Sequence, residues 1–336
     1  MRAVVGIKDV ARQAGVSIGT VSNVVNRPHV VATATRNRVL SVIQELGYVR
    51  DESARQLRAG RSRILALLVL DLGNPFFVDV ARGAEEAAHD EGLNIITCNS
   101  SQRVETEASY LAMLAEQRVR GVLLSPVDTA GDAMQAFRRS GIPYVFVDRK
   151  VPAEDASSVS VDDVAGGELA ARHLLETGHR RIAFVNGPML LTQCRDRDRG
   201  VRSGLAGSGA ELSVLEAIGL DVSSGRDAGA RLLGMSPRPT AVFCANDLLA
   251  LGVLQAMVGA GVRVPAEMAI VGYDDIEFAG AAAVPLTSVR QPALRLGRTA
   301  ASLLLAETGD EPPQRRQVVF TPELVVREST RVRKDS

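Results

Sequence analysis

No run of apolar residues in the 336-residue chain approaches the roughly 18 that a membrane-spanning helix needs. The opening residues, Met1 to Gly6, carry no long apolar stretch, so no secretory signal peptide is expected. Cysteine is scarce. Cys98, Cys194 and Cys244 lie far apart, which excludes a disulfide scaffold and a CxxC metal knuckle and suits a reducing cytoplasm. Catalytic signatures are missing too: there is no GxxxxGKS/T phosphate loop, no HExxH and no GxSxG elbow. Gly204, Gly207 and Gly209 stand in the wrong order for a dinucleotide fingerprint, and His29, His89, His173 and His179 show no ligand spacing. Asp162-Asp163 and Asp274-Asp275 are paired acids, but adjacent residues do not face each other on a helix or strand. No enzyme, cofactor or metal site is expected.

What is present is an ordinary globular composition, 46% hydrophobic and 23% charged, at a length of about two domains. The net charge of zero hides an asymmetry. Residues 1–63 carry a net +7 and the remainder a net −7. A basic head on an acidic body is the footprint of a chain whose N-terminal part meets a polyanion, although a solvated basic face gives the same count.

From residue 64 onward, short Val/Ile/Leu-rich runs recur without polar alternation: Ile64–Leu70, Asn94–Cys98, Gly121–Ser125, Tyr144–Val147, Arg181–Val185, Ala241–Cys244 and Ala269–Gly272. Such runs suit parallel strands buried on both faces. Helical patterns separate them, at Phe77–Glu91, Glu105–Gln117, Gly166–Thr177 and Asp247–Gly259. The alternation predicts right-handed βαβ units and two doubly wound, Rossmann-like lobes with a ligand at the carboxyl ends of the strands.

Residues 1–48 differ. Ile7, Val10, Ala11 and Ala14 share one helical face, and Gly15-Val16-Ser17 makes a turn. Ser17 N-caps a second helix with an apolar stripe of Val21, Val24 and Val25. Thr33–Leu46 reads as a third helix with Val39, Val42, Ile43 and Leu46 inward, closed by Gly47. This is an all-α helix-turn-helix head. Residues 49–63 read as a linker in which Asp51 caps a short helix, Glu52–Ala59, too short to be stable alone.

The stretch Ile7-Lys8-Asp9-Val10-Ala11-Arg12-Gln13-Ala14-Gly15-Val16-Ser17, followed by Thr20-Val21-Ser22-Asn23-Val24-Val25-Asn26, resembles the LacI/GalR (lactose/galactose repressor) family. So do Ser53–Arg58, Asn74-Pro75-Phe76-Phe77, Gly178–Ile182, Ala245-Asn246-Asp247, Gly272–Asp275 and Glu323–Glu328, in collinear order over essentially the whole chain. The resemblance implies a homodimeric DNA-binding regulator, a repressor type, with a periplasmic-binding-protein-like core whose two lobes hold a small effector. Expected partners are a near-palindromic double-stranded operator, a sugar or nucleoside-like metabolite and a second copy of the chain, in the cytoplasm at the nucleoid and with no membrane. The implied division is a head at 1–48, a hinge linker at 49–63 and a core at 64–336. Within the core, the N-lobe spans about 64–163 and 291–320, and the C-lobe about 164–290 and 321–336. A solute-binding protein of the periplasmic type shares the core. It is the alternative reading, opposed by the basic helical head.

In this motif the second helix enters the major groove by its N-terminal end. That end offers Ser17, Ile18, Gly19, Thr20, Ser22 and Asn23. Asn pairs with adenine and an isoleucine touches a thymine methyl. Burial of Ile18 against the third helix is the competing reading, and phosphate contact or plain surface competes for Thr20 and Ser22. Asn26, Arg36 and Arg55 are expected on phosphates. By resemblance, Leu57 wedges between base steps in the minor groove with Arg58 beside it. The family's usual serine at the start of the third helix is Ala32 here, and its Pro-Asn before the linker helix is Arg50-Asp51.

For the effector, Phe76 and Phe77 follow the first core strand, Ser125, Asp148 and Arg149 end others, and Asn246 and Asp274 each follow one. Arg195 and Arg197 follow Gly187-Pro188, and Leu220 stands where the family often has an aromatic. Asp, Asn and Arg around an apolar floor suit a polyhydroxylated ligand. Core packing competes for the two phenylalanines, and a surface salt bridge for Asp148, Arg197 and Asp274. The apolar loop Met189–Cys194 leaves a less polar sugar, a nucleoside or another metabolite open.

Overall fold

The computed structural model describes residues 5–48, 62–152, 154–309 and 314–331. The chain divides into two compact units, Met1–Ser62 and Arg63–Ser336.

Among the described residues the first unit holds three α-helices, α1 (Ile7–Ala14), α2 (Ile18–Asn26) and α3 (Thr33–Leu46), with a 3-10 turn at Pro28–Val30 between the last two. Gly15 ends α1 in the left-handed region at φ 62°, so the chain turns at once into α2. Ser17 caps α2 by accepting the Thr20 amide at 3.0 Å. Val10, Ala11, Ala14, Val21, Val24, Val39 and Val42 form the core, with Ile7, Ile43 and Leu46 half-buried around it. Val25 lies outside that cluster. Ala32 supplies no side-chain cap to α3. The expected linker helix Glu52–Ala59, with Arg55, Leu57 and Arg58, lies outside the described residues.

The second unit runs β1 (Ile64–Val69), α4 (Pro75–Asp90), β2 (Asn94–Asn99), α5 (Val104–Glu116), β3 (Gly121–Leu124), α6 (Asp132–Arg139), β4 (Tyr144–Val147) and β5 (Ser157–Val161). It continues through α7 (Asp163–Glu176), β6 (Arg181–Asn186), α8 (Thr192–Leu205), β7 (Glu211–Glu216), α9 (Val222–Leu233), β8 (Ala241–Cys244), α10 (Asp247–Gly259), β9 (Ala269–Asp274), α11 (Glu277–Ala281) and β10 (Thr287–Arg290). Helix α12 (Ala293–Glu307), β11 (Gln317–Phe320) and β12 (Glu323–Val325) complete it. Two six-stranded sheets result, in the orders β11-β5-β4-β3-β1-β2 and β12-β10-β9-β8-β6-β7. Every pairing is parallel except β10 with β12. The chain passes between the sheets after β5, after β10 and between β11 and β12. We call the first sheet with its helices the N-lobe and the second the C-lobe.

Burial on both faces holds for the central strands β1, β3, β4, β8 and β9. It fails at β2, an edge strand whose Ile96 is 43% exposed. Strand β5, Ser-Ser-Val-Ser-Val, is buried along its whole length although three of its five residues are serines. Close helix packing sets the cleft geometry. A Cβ on Gly167 would sit 2.5 Å from the Arg197 carbonyl, and one on Gly200 2.1 Å from that of Val164. Only glycine at these positions lets α7 and α8 touch backbone to backbone.

Candidate functional site: the interlobe cleft and the helical head

Parallel α/β sheets place ligands at the carboxyl ends of their strands. Here those ends deliver side chains from both lobes into one cleft. Leu70, Asn74, Phe76 and Phe77 follow β1, and Asp148 follows β4. From the C-lobe come Leu191, Gln193, Arg197, Leu220, Asn246 and Asp274, with Gln291 on the crossover after β10. These side chains nearly fill the cleft, leaving about 30 Å³ of open space, enough for roughly one or two waters.

The filling is a hydrogen-bonded network across the lobes. Asn74 Nδ2 of the N-lobe donates to Asp274 Oδ2 of the C-lobe at 2.9 Å, and Gln291 Nε2 donates to Asp274 Oδ1 at 2.7 Å. In the opposite sense, Gln193 Nε2 of the C-lobe donates to Asp148 of the N-lobe, to its Oδ2 at 2.8 Å and its carbonyl at 2.9 Å. Arg197 Nε meets Asp163 Oδ1 at 2.8 Å, and its Nη1 donates to the Ala245 carbonyl at 2.5 Å. The guanidinium carbon stands 3.7 Å from the Tyr273 ring centroid, a cation–π contact. Phe76 and Phe77 meet edge to face at 5.0 Å. Asn246 caps α10 through the Leu249 amide at 2.9 Å and donates to the Leu220 carbonyl at 2.8 Å.

Asp148, Asp163, Asp274 and Arg197 are all buried, so the surface salt-bridge reading does not hold. Burial pushes the Asp148 carboxyl up to about 8, Asp163 adds to the rise, and Arg197 and the Gln193 hydrogen bond oppose it. Burial likewise raises Asp274 against the pull of Arg197, Asn74 and Gln291. Burial alone would lower the Arg197 guanidinium, but Asp163, Tyr273, Asp274 and Asp148 outweigh it and hold the group protonated. Two acceptors, Asp148 Oδ1 and Gln291 Oε1, are buried without a partner. Asp148 (φ 57°) and Asp274 (φ 101°) both adopt left-handed backbone. That conformation costs a non-glycine residue of order 1–3 kcal/mol and persists where surrounding structure enforces it, commonly at functional sites.

Of the ten cleft residues expected from sequence, Phe76, Phe77, Asp148, Arg197, Leu220, Asn246 and Asp274 come together. Three do not. Ser125 is buried at the end of β3, its amide bonded to the Leu68 carbonyl at 2.8 Å. Arg149 points away, bonding Thr129 Oγ1 at 3.2 Å. It lines an adjoining cavity with Lys150, Asp196 and Arg199, which shares Asp148 and Gln193 with the cleft. Arg195 folds back onto the Met189 and Leu190 carbonyls at 2.6 and 2.9 Å. The helical register of α8 explains the last case. Gln193 and Arg197 are four apart and share the cleft face, and Arg195 falls between them. That register also marks Gln193, which sequence reasoning missed. Asn74, the α4 cap, and Gln291, just past β10, also line the cleft without standing out in the sequence.

In the head, Ser17 Oγ is 2.9 Å from Thr20 Oγ1 as well as capping α2. Ile18 is 44% exposed, so burial against α3 is excluded. Gly19 and Asn23 are exposed beside it, Thr20 and Ser22 are half-buried, and so is Arg36 on α3. Asn26 Nδ2 donates to the Ser22 carbonyl at 2.8 Å.

No helix among the described residues is long and apolar enough to cross a membrane. The profile of bacterial regulatory proteins of the lacI family matches residues 6–51, and that of the periplasmic binding protein-like domain matches residues 171–330. The HTH-type transcriptional repressor PurR of Photobacterium profundum is 35% identical over 328 residues, covering 97% of this chain and 98% of its own. PurR of Vibrio cholerae serotype O1 (strain M66-2) is 35% identical over 330 residues, covering 97% and 98%. Among solved structures, the transcriptional regulator CelR–cellobiose complex superposes at TM-score 0.74, with 35% identity over 97% of this chain and 99% of its own. The lac repressor dimer bound to operator and the anti-inducer ONPF superposes at 0.81, with 28% identity over 98% and 99%. Sequence and fold agree along nearly the full length of these relatives, and the chain belongs to the lacI family of bacterial regulatory proteins.

Proposed function

We propose that the small molecule controlling this DNA-binding repressor is a saccharide, held in the interlobe cleft by Asp148, Arg197, Asn246 and Asp274 over the Phe76 and Phe77 rings. The observation that carries this reading is the reciprocal pair of amide–aspartate hydrogen bonds, Asn74 to Asp274 and Gln193 to Asp148. Each is a donor–acceptor contact of the kind a sugar hydroxyl makes, since a hydroxyl both donates and accepts. A saccharide entering between the lobes exchanges these internal bonds for its own, and burial makes each exchange count. The CelR–cellobiose complex and relatives with bound ribose support a sugar ligand in this fold.

The chain acts as a homodimer on operator DNA, as in the lac repressor dimer bound to operator. We infer that it does so in the cytoplasm, at the nucleoid. Residues 1–48 form the reading head, 49–63 the hinge, and 64–336 the core. In the core, residues about 64–163 and 291–320 move against residues about 164–290 and 321–336. The exposed end of α2, Ser17, Ile18, Gly19, Thr20, Ser22 and Asn23, reads bases in the major groove, with Asn26, Arg36 and Arg55 on phosphates. Leu57 and Arg58 serve the minor groove at the operator's centre.

The test is a thermal-shift screen of the full chain with mono- and disaccharides and nucleosides, followed by operator-binding titrations with and without the hit. A sugar that raises the melting temperature and changes operator affinity is the expected result. A nucleoside that does both while sugars do neither overturns the saccharide assignment.

A further inference from the structure

Strand β9 runs into two successive non-glycine residues in left-handed backbone, Asp274 at φ 101° and Asp275 at φ 57°. An L side chain rarely holds that conformation unless its surroundings impose it. The turn sends two adjacent carboxylates different ways. Asp274 meets Asn74 and Gln291 in the cleft, whereas Asp275 accepts from Arg290 Nε at 2.7 Å and Arg327 Nη1 at 2.6 Å.

The groups that impose the turn lie behind it, and neither lines the cleft. Asp247, the first residue of α10, is fully buried, and so is Ser288 on β10. Asp247 Oδ2 accepts the Ile276 amide at 2.9 Å, and its Oδ1 accepts the Ser288 hydroxyl at 2.7 Å. The same hydroxyl oxygen accepts the Asp275 amide at 3.1 Å. One carboxylate therefore fixes two consecutive amides of the turn, that of Ile276 directly and that of Asp275 through Ser288. Its place in the first turn of α10 suits a negative charge, because the free amides of a helix start carry partial positive charge. A glycine makes room for it. Ser288 pairs with Gly272 across β9 and β10, and a Cβ on Gly272 would sit 1.9 Å from Asp247 Oδ1.

We infer that Asp247 and Ser288 are positioning residues for the effector site: they lock the Asp274–Asp275 turn so that the Asp274 carboxylate faces the N-lobe across the cleft. This inference rests on the reading above that Asp274 binds the effector. The clamp sets the direction of the acceptor before a ligand binds, so little affinity is spent on ordering it. Removing the Ser288 hydroxyl frees the Asp275 amide and takes from Asp247 Oδ1 its donor. The turn then relaxes and carries Asp274 away from Asn74.

The experiment compares the full chain with Ser288→Thr, Ser288→Val and Ser288→Ala. Ser288→Thr keeps the hydroxyl, and Ser288→Val has the same shape without it, so the pair separates the hydrogen bond from the added methyl group. If Ser288→Val does not fold, Ser288→Ala against Ser288→Thr carries the comparison. Crystal structures without ligand give the Asp274 φ and the Asn74–Asp274 distance. Isothermal titration with ribose, glucose, galactose and cellobiose gives affinity. The expected result is a native turn in Ser288→Thr, and in the other two a turn that has left the left-handed region with the Asn74 bond broken. Affinity for whichever of these sugars binds the native chain should stay within about twofold in Ser288→Thr and fall about tenfold or more in the other two, as for a lost charged hydrogen bond. An unchanged turn in Ser288→Val and Ser288→Ala overturns the inference, and so does a turn displaced equally in all three variants. A relaxed turn with undiminished sugar affinity overturns the placing of Asp274 at the effector, here and in the reading on which it rests. A relaxed turn in a chain that binds none of the sugars overturns the saccharide reading and upholds the positioning of Asp274.

Discussion

Gln193 on α8 donates one amide nitrogen to both the carboxylate and the carbonyl of Asp148 at the end of β4, at 2.8 and 2.9 Å, and so joins the two lobes. Both residues are buried. Replacing Gln193 by Ala leaves a buried carboxylate with no donor from that side. Unfolding stability should fall by about 1–3 kcal/mol, the usual size of a buried polar group losing its partner. Urea unfolding monitored by circular dichroism measures it. An unchanged midpoint and slope would show that the two lobes are not tied at this point in solution.

Stability should also depend on pH through Asp148. Its folded carboxyl is raised to about 8 by burial and by Asp163. A raised folded value means that the protonated form is the one compatible with the closed cleft. The stabilising contribution is therefore fully present below the ordinary carboxylate range and is lost as pH rises toward 8. Melting temperature should fall between about pH 5 and pH 8, and Asp148→Asn should flatten that fall. Asp274 and Asp247, also raised by burial, keep part of the slope in the variant. Identical pH profiles for the variant and the native chain would falsify this assignment.

The sequence leaves Arg197 either touching the effector or forming a surface salt bridge. Its buried pairing with Asp163, 5% and 8% exposed at the side chains, gives it a second role. Arg197→Met should destabilise the core by about 3–5 kcal/mol, because Asp163 loses its buried ion-pair partner. The double variant Asp163→Asn/Arg197→Met should recover most of that loss. Chemical denaturation of the two single variants and the double variant closes the cycle, and strictly additive losses would mean that the two residues do not interact.

At the head, Ile18→Ala and Asn23→Ala should leave folding unchanged, since both side chains are exposed. Each should weaken operator binding by about 1–3 kcal/mol, the range for a good base contact. Random-sequence DNA at the same salt concentration should hardly respond, because its binding depends on phosphate charge. Equal losses on operator and random DNA would move these residues from base reading to backbone contact.

What the sequence determined by itself follows from local physics. The glycine turn at Gly15, the Ser17 cap and the valine stripes specify the head, because a cap and a helical face are set within a few residues. The Val/Ile/Leu runs specify the central strands, since a strand buried on both faces must be apolar throughout. Strand β5 escaped that rule. It is an internal strand, paired on its two edges with β4 and β11, and β11 comes from the far end of the chain. Tertiary structure alone decided which charged residues converge. Arg195 and Arg197 look alike in the sequence, but the register of α8, fixed by the contact of Gly167 and Gly200, turns one into the cleft and the other back onto its own loop. The lobe-joining pairs Asn74–Asp274 and Gln193–Asp148 link residues 200 and 45 positions apart. No local pattern encodes such distances. They arise because two sheets folded from separate stretches present their carboxyl ends to each other, and burial there drives their amides and carboxylates to pair across the lobes.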